Sequence, residues 1–497
     1  MCAKKTPTSS KFSLLEASFA DLQNAMASGQ ISSKQLCQMY LERIEAYDRN
    51  GPTLCSVIET NPDVLKIADA LDQERHSQGT RGPLHGIPIL VKDNIDTADR
   101  MHTSAGSLAM AKSIAPRDST VAARLRAAGA VLLGKANMTE WANFMTVGMS
   151  NGYSSRGAQG INPYKPGLDT GGSSSGSGIS TAANLCAAAI GTETSGSILS
   201  PANQNSLVGI KPTVGLVSRA GVIPVSSTQD TPGPMTRTVR DAAMLLSAIA
   251  GKDRRDAATR DAKIAQDYTA FLDPNGLKGA RIGVPRAEYW DTLSPEQAQI
   301  VENALQVIRD CGATVIDPAE IASAKELSGF NFEVLLYDFK RDINRYFKTL
   351  GSNAPIKNLK DLIAYNEQRP EKMLRYGQLI LQAAQSTSGK LEEAIYAYRR
   401  AEDLRLSQRL GIDATIKRHR LDALLFPIYS GYGIAARPGY PSVIVPAGYT
   451  ADNTPVGVTF TAEAWQEPML IRLAYAFEQA SQARRPPALT PALSKPV

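Results

Sequence analysis

Histidine is nearly missing from this chain of 497 residues. Only His76, His85, His102 and His419 are present. No two of them form an HxxxH pair and none sits in a Cys/His cluster, so the common zinc patterns are excluded. A hydrolase built on this sequence therefore needs a base other than histidine. Cysteine is also thin. Cys2, Cys37, Cys55, Cys186 and Cys311 are odd in number and contain no CxxC, which favours a reducing compartment over a disulfide scaffold. No run approaches the roughly 18 apolar residues of a membrane helix. Residues 1–11 carry lysines but no apolar stretch, so neither a signal peptide nor a membrane span is expected, and the cytoplasm is the default. Phosphate cradles of the GxxxxGK[ST] and GxGxxG types are absent. Net charge is only +6, with no long basic block. Arg254–Arg255, Lys417–Arg420 and Arg484–Arg485 read as solvated surface, which argues against a nucleic-acid partner.

What is present can build a large core. Hydrophobic residues make up 43% of the chain, and its length fits one large α/β domain or a few ordinary ones. Ser32 followed by Gln35 predicts a capped helix whose Leu36, Met39, Tyr40, Ile44 and Tyr47 share a face. Ile87 to Val91 reads as a buried strand ending at Lys92. A helix over 121–128, stopped by Gly129, and a strand over 130–133 give the helix–strand grammar of an α/β sheet. A small-residue helix is expected over 179–189 and a turn over 191–197. Helices are expected at 239–249, 295–310 and 468–480, with a largely helical stretch over 320–420. Strands are expected at 280–284, 314–316, 423–427, 442–445 and 457–460. The tails, 1–11 and 483–497, read as loose or extended.

The most unusual text is GLDTGGSSSGSG at 167–178. A flexible linker would rarely run straight into an apolar small-residue helix. GSSSG around Ser174 matches the G-x-S-x-G elbow, but the polar text upstream cannot be the buried strand that an elbow needs. Lysine can replace histidine as a base if it is held neutral by burial. Lys92, at the end of an apolar strand, is a candidate. By position alone the better reading is a lysine whose stem lies on the core while its amine reaches water.

Several separate motifs resolve that choice. They are GIPILVKDNIDT at 86–97, AAGAVLLGKANMTEWANF at 127–144, GGSSSGSG at 171–178 and GTETSGSILSPA at 191–202. VGIKPTVGLVSRAGVIPVSSTQDTPGPM at 208–235, DALLFPI at 422–428 and GYPSVIVPAG at 439–448 continue the series. In order, spacing and residue type they resemble the amidase signature family, in its peptide-amidase-like branch, over roughly residues 12–482. Ser175, Ser195 and Leu199 depart from the commonest form of these motifs, as they do in that branch.

The resemblance implies one large α/β domain over 12–482, with a twisted mixed β-sheet flanked by helices on both faces. It implies a Ser–cis-Ser–Lys triad: Ser197 as nucleophile, Ser173 as proton relay after a cis Gly172–Ser173 peptide, and Lys92 as base. Ser195 and Ser200 are rivals off the motif position. Backbone N–H groups of Thr194, Ser195 and Gly196 are expected to receive the developing oxyanion. Asn143 is the expected substrate contact. The expected partner is a small-molecule or peptide amide, handled without cofactor or metal by a monomer or homodimer. Two alternatives are an amidotransferase A-type subunit passing ammonia to a partner and a non-enzymatic module on the same scaffold.

Overall fold

The computed structural model describes residues 12–327, 332–352 and 354–490. The tail expected at 1–11, and Cys2 within it, lie outside the described residues. Helix starts follow local chemistry. Ser32 accepts from the Gln35 N–H and the Gln35 side chain returns to the Ser32 N–H, which opens the helix Ser33–Arg43. The same reciprocal cap opens Phe19–Ala27 at Ser18 and Pro295–Asp310 at Ser294.

Thirteen strands lie among the described residues: β1 (Val57–Thr60), β2 (Pro88–Lys92), β3 (Val131–Ala136), β4 (Tyr153–Ser154), β5 (Ala158–Gln159), β6 (Ala188–Glu193), β7 (Val208–Lys211), β8 (Thr231–Thr236), β9 (Arg281–Gly283), β10 (Thr314–Ile316), β11 (Ala423–Pro427), β12 (Ser442–Tyr449) and β13 (Pro455–Thr461). Eleven form one sheet in the order β1-β3-β2-β6-β8-β7-β12-β13-β11-β9-β10. The sheet is mixed. β2 is parallel to both β3 and β6, whereas β6–β8, β7–β8 and β12–β13 are antiparallel.

Alternation along β12 explains why both faces are covered. Val443 and Val445 enter a core that includes Val458, Phe460 and Phe477. Ile444, between them, joins Ile198, Leu199 and Ala202 on the opposite face. The helices Glu467–Ser481 and Leu199–Gln204 thus clothe opposite sides of the same strand. A second apolar cluster joins Trp141, Phe144 and Met145 to Phe339, Ile343 and Phe347 of the helix Glu333–Thr349. The helical stretch expected over 320–420 therefore packs against the segment that carries Asn143.

Three expectations need correction. The helix expected over 179–189 ends early: it spans Ser175–Ala182, and Ala188–Glu193 is strand β6. Asn184 takes a left-handed conformation at φ 55, and its amide exchanges hydrogen bonds with Glu16 at 2.9 and 2.8 Å. The alanines that follow pair between β2 and β8, and this tertiary pairing overrides their helix propensity. The turn predicted over 191–197 accordingly begins only at Thr194. The Arg484–Arg485 pair is not simply solvated either. Arg484 is tucked in, with Nε 2.8 Å from Glu16 Oε2 and a further bond to the Ser206 carbonyl.

Gly176 sits where backbone segments pack closely. A Cβ there would strike the backbone carbonyls of Asn137 and Ser56. Gly176→Ala should cost about 1–3 kcal/mol of stability through overpacking. Urea unfolding checks this, and an unchanged midpoint would contradict it.

Candidate active site

β2 runs through the sheet between β3 and β6, and it delivers Lys92 into the interior. The side chain is fully buried. Its Nζ lies 2.8 Å from Ser173 Oγ, 3.1 Å from the Thr192 carbonyl and 3.0 Å from Thr192 Oγ1. Burial pushes the amine down from 10.5 to about 7, against the opposing pull of Asp230 and Glu193. An amine in this position cannot reach water, so the surface-lysine alternative is excluded.

Ser173 follows a cis peptide at Gly172. Gly172 has no room for a side chain, because Asn151 Oδ1 and Thr139 Oγ1 fill that space. The Ser173 carbonyl accepts from the Thr139 N–H at 3.0 Å, and the next N–H, of Ser174, donates to the Ser197 carbonyl at 3.2 Å. The first bond ties the segment after Gly172 to the loop after β3, and the second ties it to the turn after β6. Ser174 Oγ, the elbow candidate, instead donates to the Thr192 carbonyl at 3.0 Å and faces inward.

Glu193, the last residue of β6, organises that turn. Its carboxylate accepts the N–H groups of Gly196 at 2.8 Å, Ile198 at 2.7 Å and Leu199 at 3.0 Å. Gly196 has φ 82, a conformation that glycine adopts without penalty. Ser197 is thereby set on a cavity of about 390 Å³. Gly172, Thr194, Ser195 and Ser197 all line it, and Asn143 and Phe144 line it with them. None of the four histidines does.

The geometry narrows the expected donor set. Gly196 cannot offer its N–H to an oxyanion, because Glu193 already holds it. The N–H groups of Thr194, Ser195 and Ser197 have no acceptor among the described residues, so these remain free to donate. Asn143 reaches the cavity as expected. It ends a run of three left-handed residues, Trp141, Ala142 and Asn143, at φ 51, 56 and 64. Such conformations persist only where neighbours over-determine them. Here the Trp141 N–H donates to the Ala105 carbonyl at 3.0 Å and the Trp141 ring packs edge-on against Phe347. Of the rival serines, Ser195 shares the cavity and Ser200 lies in the helix Leu199–Gln204.

Sequence reasoning missed four residues that hold this arrangement: Asn94, Thr192, Glu193 and Asp230. Asp230 accepts the Thr194 hydroxyl at 2.6 Å and the N–H groups of Val225 and Ser226, both at 2.9 Å. All four lie inside the quoted motifs, which was the available signal; Asn94, Thr192 and the Thr194 bond of Asp230 join segments far apart in the chain, whereas Glu193 holds N–H groups only three to six residues ahead of it.

The Amidase family model matches residues 35–433. A probable amidase of Arabidopsis thaliana is 42% identical over 98% of this chain and 94% of its own length. The solved peptide amidase of Stenotrophomonas maltophilia is 46% identical, covers 96% of this chain and 99% of its own, and superposes with a TM-score of 0.91. The A-type subunit of the glutamyl-tRNA(Gln) amidotransferase of Chromohalobacter salexigens is 34% identical over 94% of this chain and 97% of its own.

Glu193→Ala would strip three N–H groups of their acceptor. The expected loss is about 1–3 kcal/mol for each donor left buried and unpaired. Glu193→Gln, which keeps an acceptor oxygen, should fall between. Thermal unfolding of the three proteins reads the order. Equal stability of all three would contradict the role assigned to Glu193.

Proposed function

The chain belongs to the amidase signature family and is an amide hydrolase, and we propose that it works through Ser197 as nucleophile, Ser173 as relay and Lys92 as base. One observation carries this reading: the buried Lys92 amine sits 2.8 Å from Ser173 Oγ with its proton affinity lowered to near neutrality. A serine hydroxyl needs an adjacent base to be nucleophilic at neutral pH. Neutral Lys92 takes the Ser173 proton as Ser173 takes that of Ser197. Ser197 Oγ then bonds to the amide carbon, and the carbonyl oxygen gathers negative charge. The free N–H groups of Thr194 and Ser195 are the donors for it, and removing one such donor typically costs about 2.7–4 kcal/mol. Ser197 Oγ has no hydrogen bond to a described residue. Such contacts often tighten only when substrate fills the site. When the C–N bond breaks, the leaving nitrogen takes the proton back through Ser173. Water then cleaves the acyl-enzyme by the reverse route, leaving a carboxylate and a free triad.

The substrate we propose is a peptide carrying a C-terminal amide. A cavity of about 390 Å³ has room for one or two residues of an acyl group beside the scissile amide. Phe144, Phe332 and Leu335 give that acyl group an apolar wall, and Asn143 offers an amide to its backbone. The likeness to a peptide amidase supports the same choice. A reducing, cytoplasmic setting fits the unpaired Cys37, Cys55, Cys186 and Cys311. A second reading, an amidotransferase A-type subunit, draws on the likeness to the Chromohalobacter protein. Ammonia released from a peptide amide by the purified chain alone supports hydrolysis, whereas strict dependence on a partner protein supports the other reading.

The triad is open to two checks. Ser197→Ala should form no acyl-enzyme and take up no serine-reactive phosphonate, while Ser195→Ala still does; mass spectrometry reads both. A label on Ser195 would overturn the assignment. Only the uncharged amine accepts a proton, so kcat/KM should rise with pH through about 7 and level off above it. A profile flat from pH 5 to 9 would exclude Lys92 as the base.

A further inference from the structure

A neutral amine has two N–H bonds and one lone pair, and Lys92 faces three oxygens. The carbonyl of Thr192 can only accept, so it takes one N–H. The other N–H and the lone pair must divide between Thr192 Oγ1 and Ser173 Oγ. Only one division is productive. The lone pair must meet the Ser173 hydroxyl, so Thr192 Oγ1 must accept from Lys92 and send its own hydrogen elsewhere.

Asn94 supplies half of that constraint. It is buried, and its Nδ2 donates to Thr192 Oγ1 at 3.0 Å. The amide orientation is set independently, because Nδ2 also points at the Ile223 carbonyl at 3.4 Å. Asn94 therefore occupies a lone pair of the hydroxyl and cannot receive its hydrogen. Its own Oδ1 is buried with no partner among the described residues. Asn94 and Thr192 also line a chamber of about 10 Å³, together with Thr194, Arg219 and Asp230. That volume suits one water molecule, and a buried water typically makes about three hydrogen bonds.

We propose that Asn94 and Thr192 are positioning residues which, with one water in this chamber, aim the Lys92 lone pair at Ser173. The water accepts the Thr192 hydroxyl hydrogen and donates to Asn94 Oδ1 and to Asp230. Thr192 Oγ1 is then a double acceptor, from Asn94 and from Lys92, and the amine has one orientation left. The inference rests on Lys92 being the base. The charged groups around the amine are Glu193 and Asp230, with Arg219 beyond them on the chamber wall.

Thr192→Val keeps the shape and removes the hydroxyl. It should lower kcat about tenfold or more, a fraction of what general base catalysis supplies, with KM changed by less than about twofold. The acid limb of kcat/KM should also move to lower pH, because the ammonium loses one of its three acceptors. Thr192→Ser should recover at least half of the lost rate, and Asn94→Ala should reproduce the fall in kcat. Wild-type crystals at high resolution should show one water within hydrogen-bond distance of Asn94 Oδ1 and Thr192 Oγ1. If Ser197→Ala and Lys92→Ala are inactive while Thr192→Val runs at the wild-type rate with an unmoved acid limb, the positioning inference alone is wrong. An empty chamber overturns it as well, even if Thr192→Val fails to fold. Turnover by Lys92→Ala would instead sink the triad.

Discussion

Everything at this site depends on keeping one lysine amine dry. An isolated ammonium is costly to bury, and proteins meet that cost by letting the group lose its proton. Lys92 makes no ion pair among the described residues, and the negative groups that act on it, Asp230 and Glu193, oppose the effect of burial without cancelling it. Both carboxylates are committed elsewhere: Glu193 holds the turn that carries Ser197, and Asp230 holds Thr194 and the backbone of the neighbouring loop. A direct ion pair with either one would raise the proton affinity of the amine and silence it in the role of base proposed for it. The same two side chains thus build the site and stay off the lysine.

The fold serves this constraint by bringing three remote segments together without side chains between them. β2 delivers the lysine from inside the sheet, the helix Ser175–Ala182 begins just after Ser173, and β6 ends at the turn before Ser197. The Gly172 and Gly176 positions have atoms of neighbouring segments where a Cβ would stand. Gly176 allows backbone to approach backbone, and Gly172 leaves room for the polar side chains of Asn151 and Thr139. The helical cluster built on Phe339, Ile343 and Phe347 closes over the other side of the cavity and fixes the left-handed run at Trp141–Asn143.

Much of this was legible in the sequence. Strands with apolar runs, such as Ala423–Pro427, and helices with clear caps, such as Pro295–Asp310, coincide with expectation. So does the meeting of Lys92 with Ser173, because motif spacing carries it. β6 was misread because alanine favours a helix locally, and only its pairing partners, some forty residues away on one side and a hundred on the other, make it a strand. Arg484 was misread for a similar reason: its partner Glu16 lies 468 residues back in the chain. Gly196 was credited as a donor because its flexibility is visible in sequence, whereas its capture by Glu193 is visible only in three dimensions. Local patterns announce the candidate groups; the oxygens of Thr192 that face Lys92 come from a hundred residues away, while Glu193 acts within its own turn.

The most direct test is to titrate the lysine itself. In Ser197→Ala protein labelled with 13C at the lysine ε-carbon, the resonance that disappears in Lys92→Met should titrate near pH 7. A transition at the ordinary lysine value, above about 10, would mean that the amine is charged at neutral pH and that Lys92 cannot be the base.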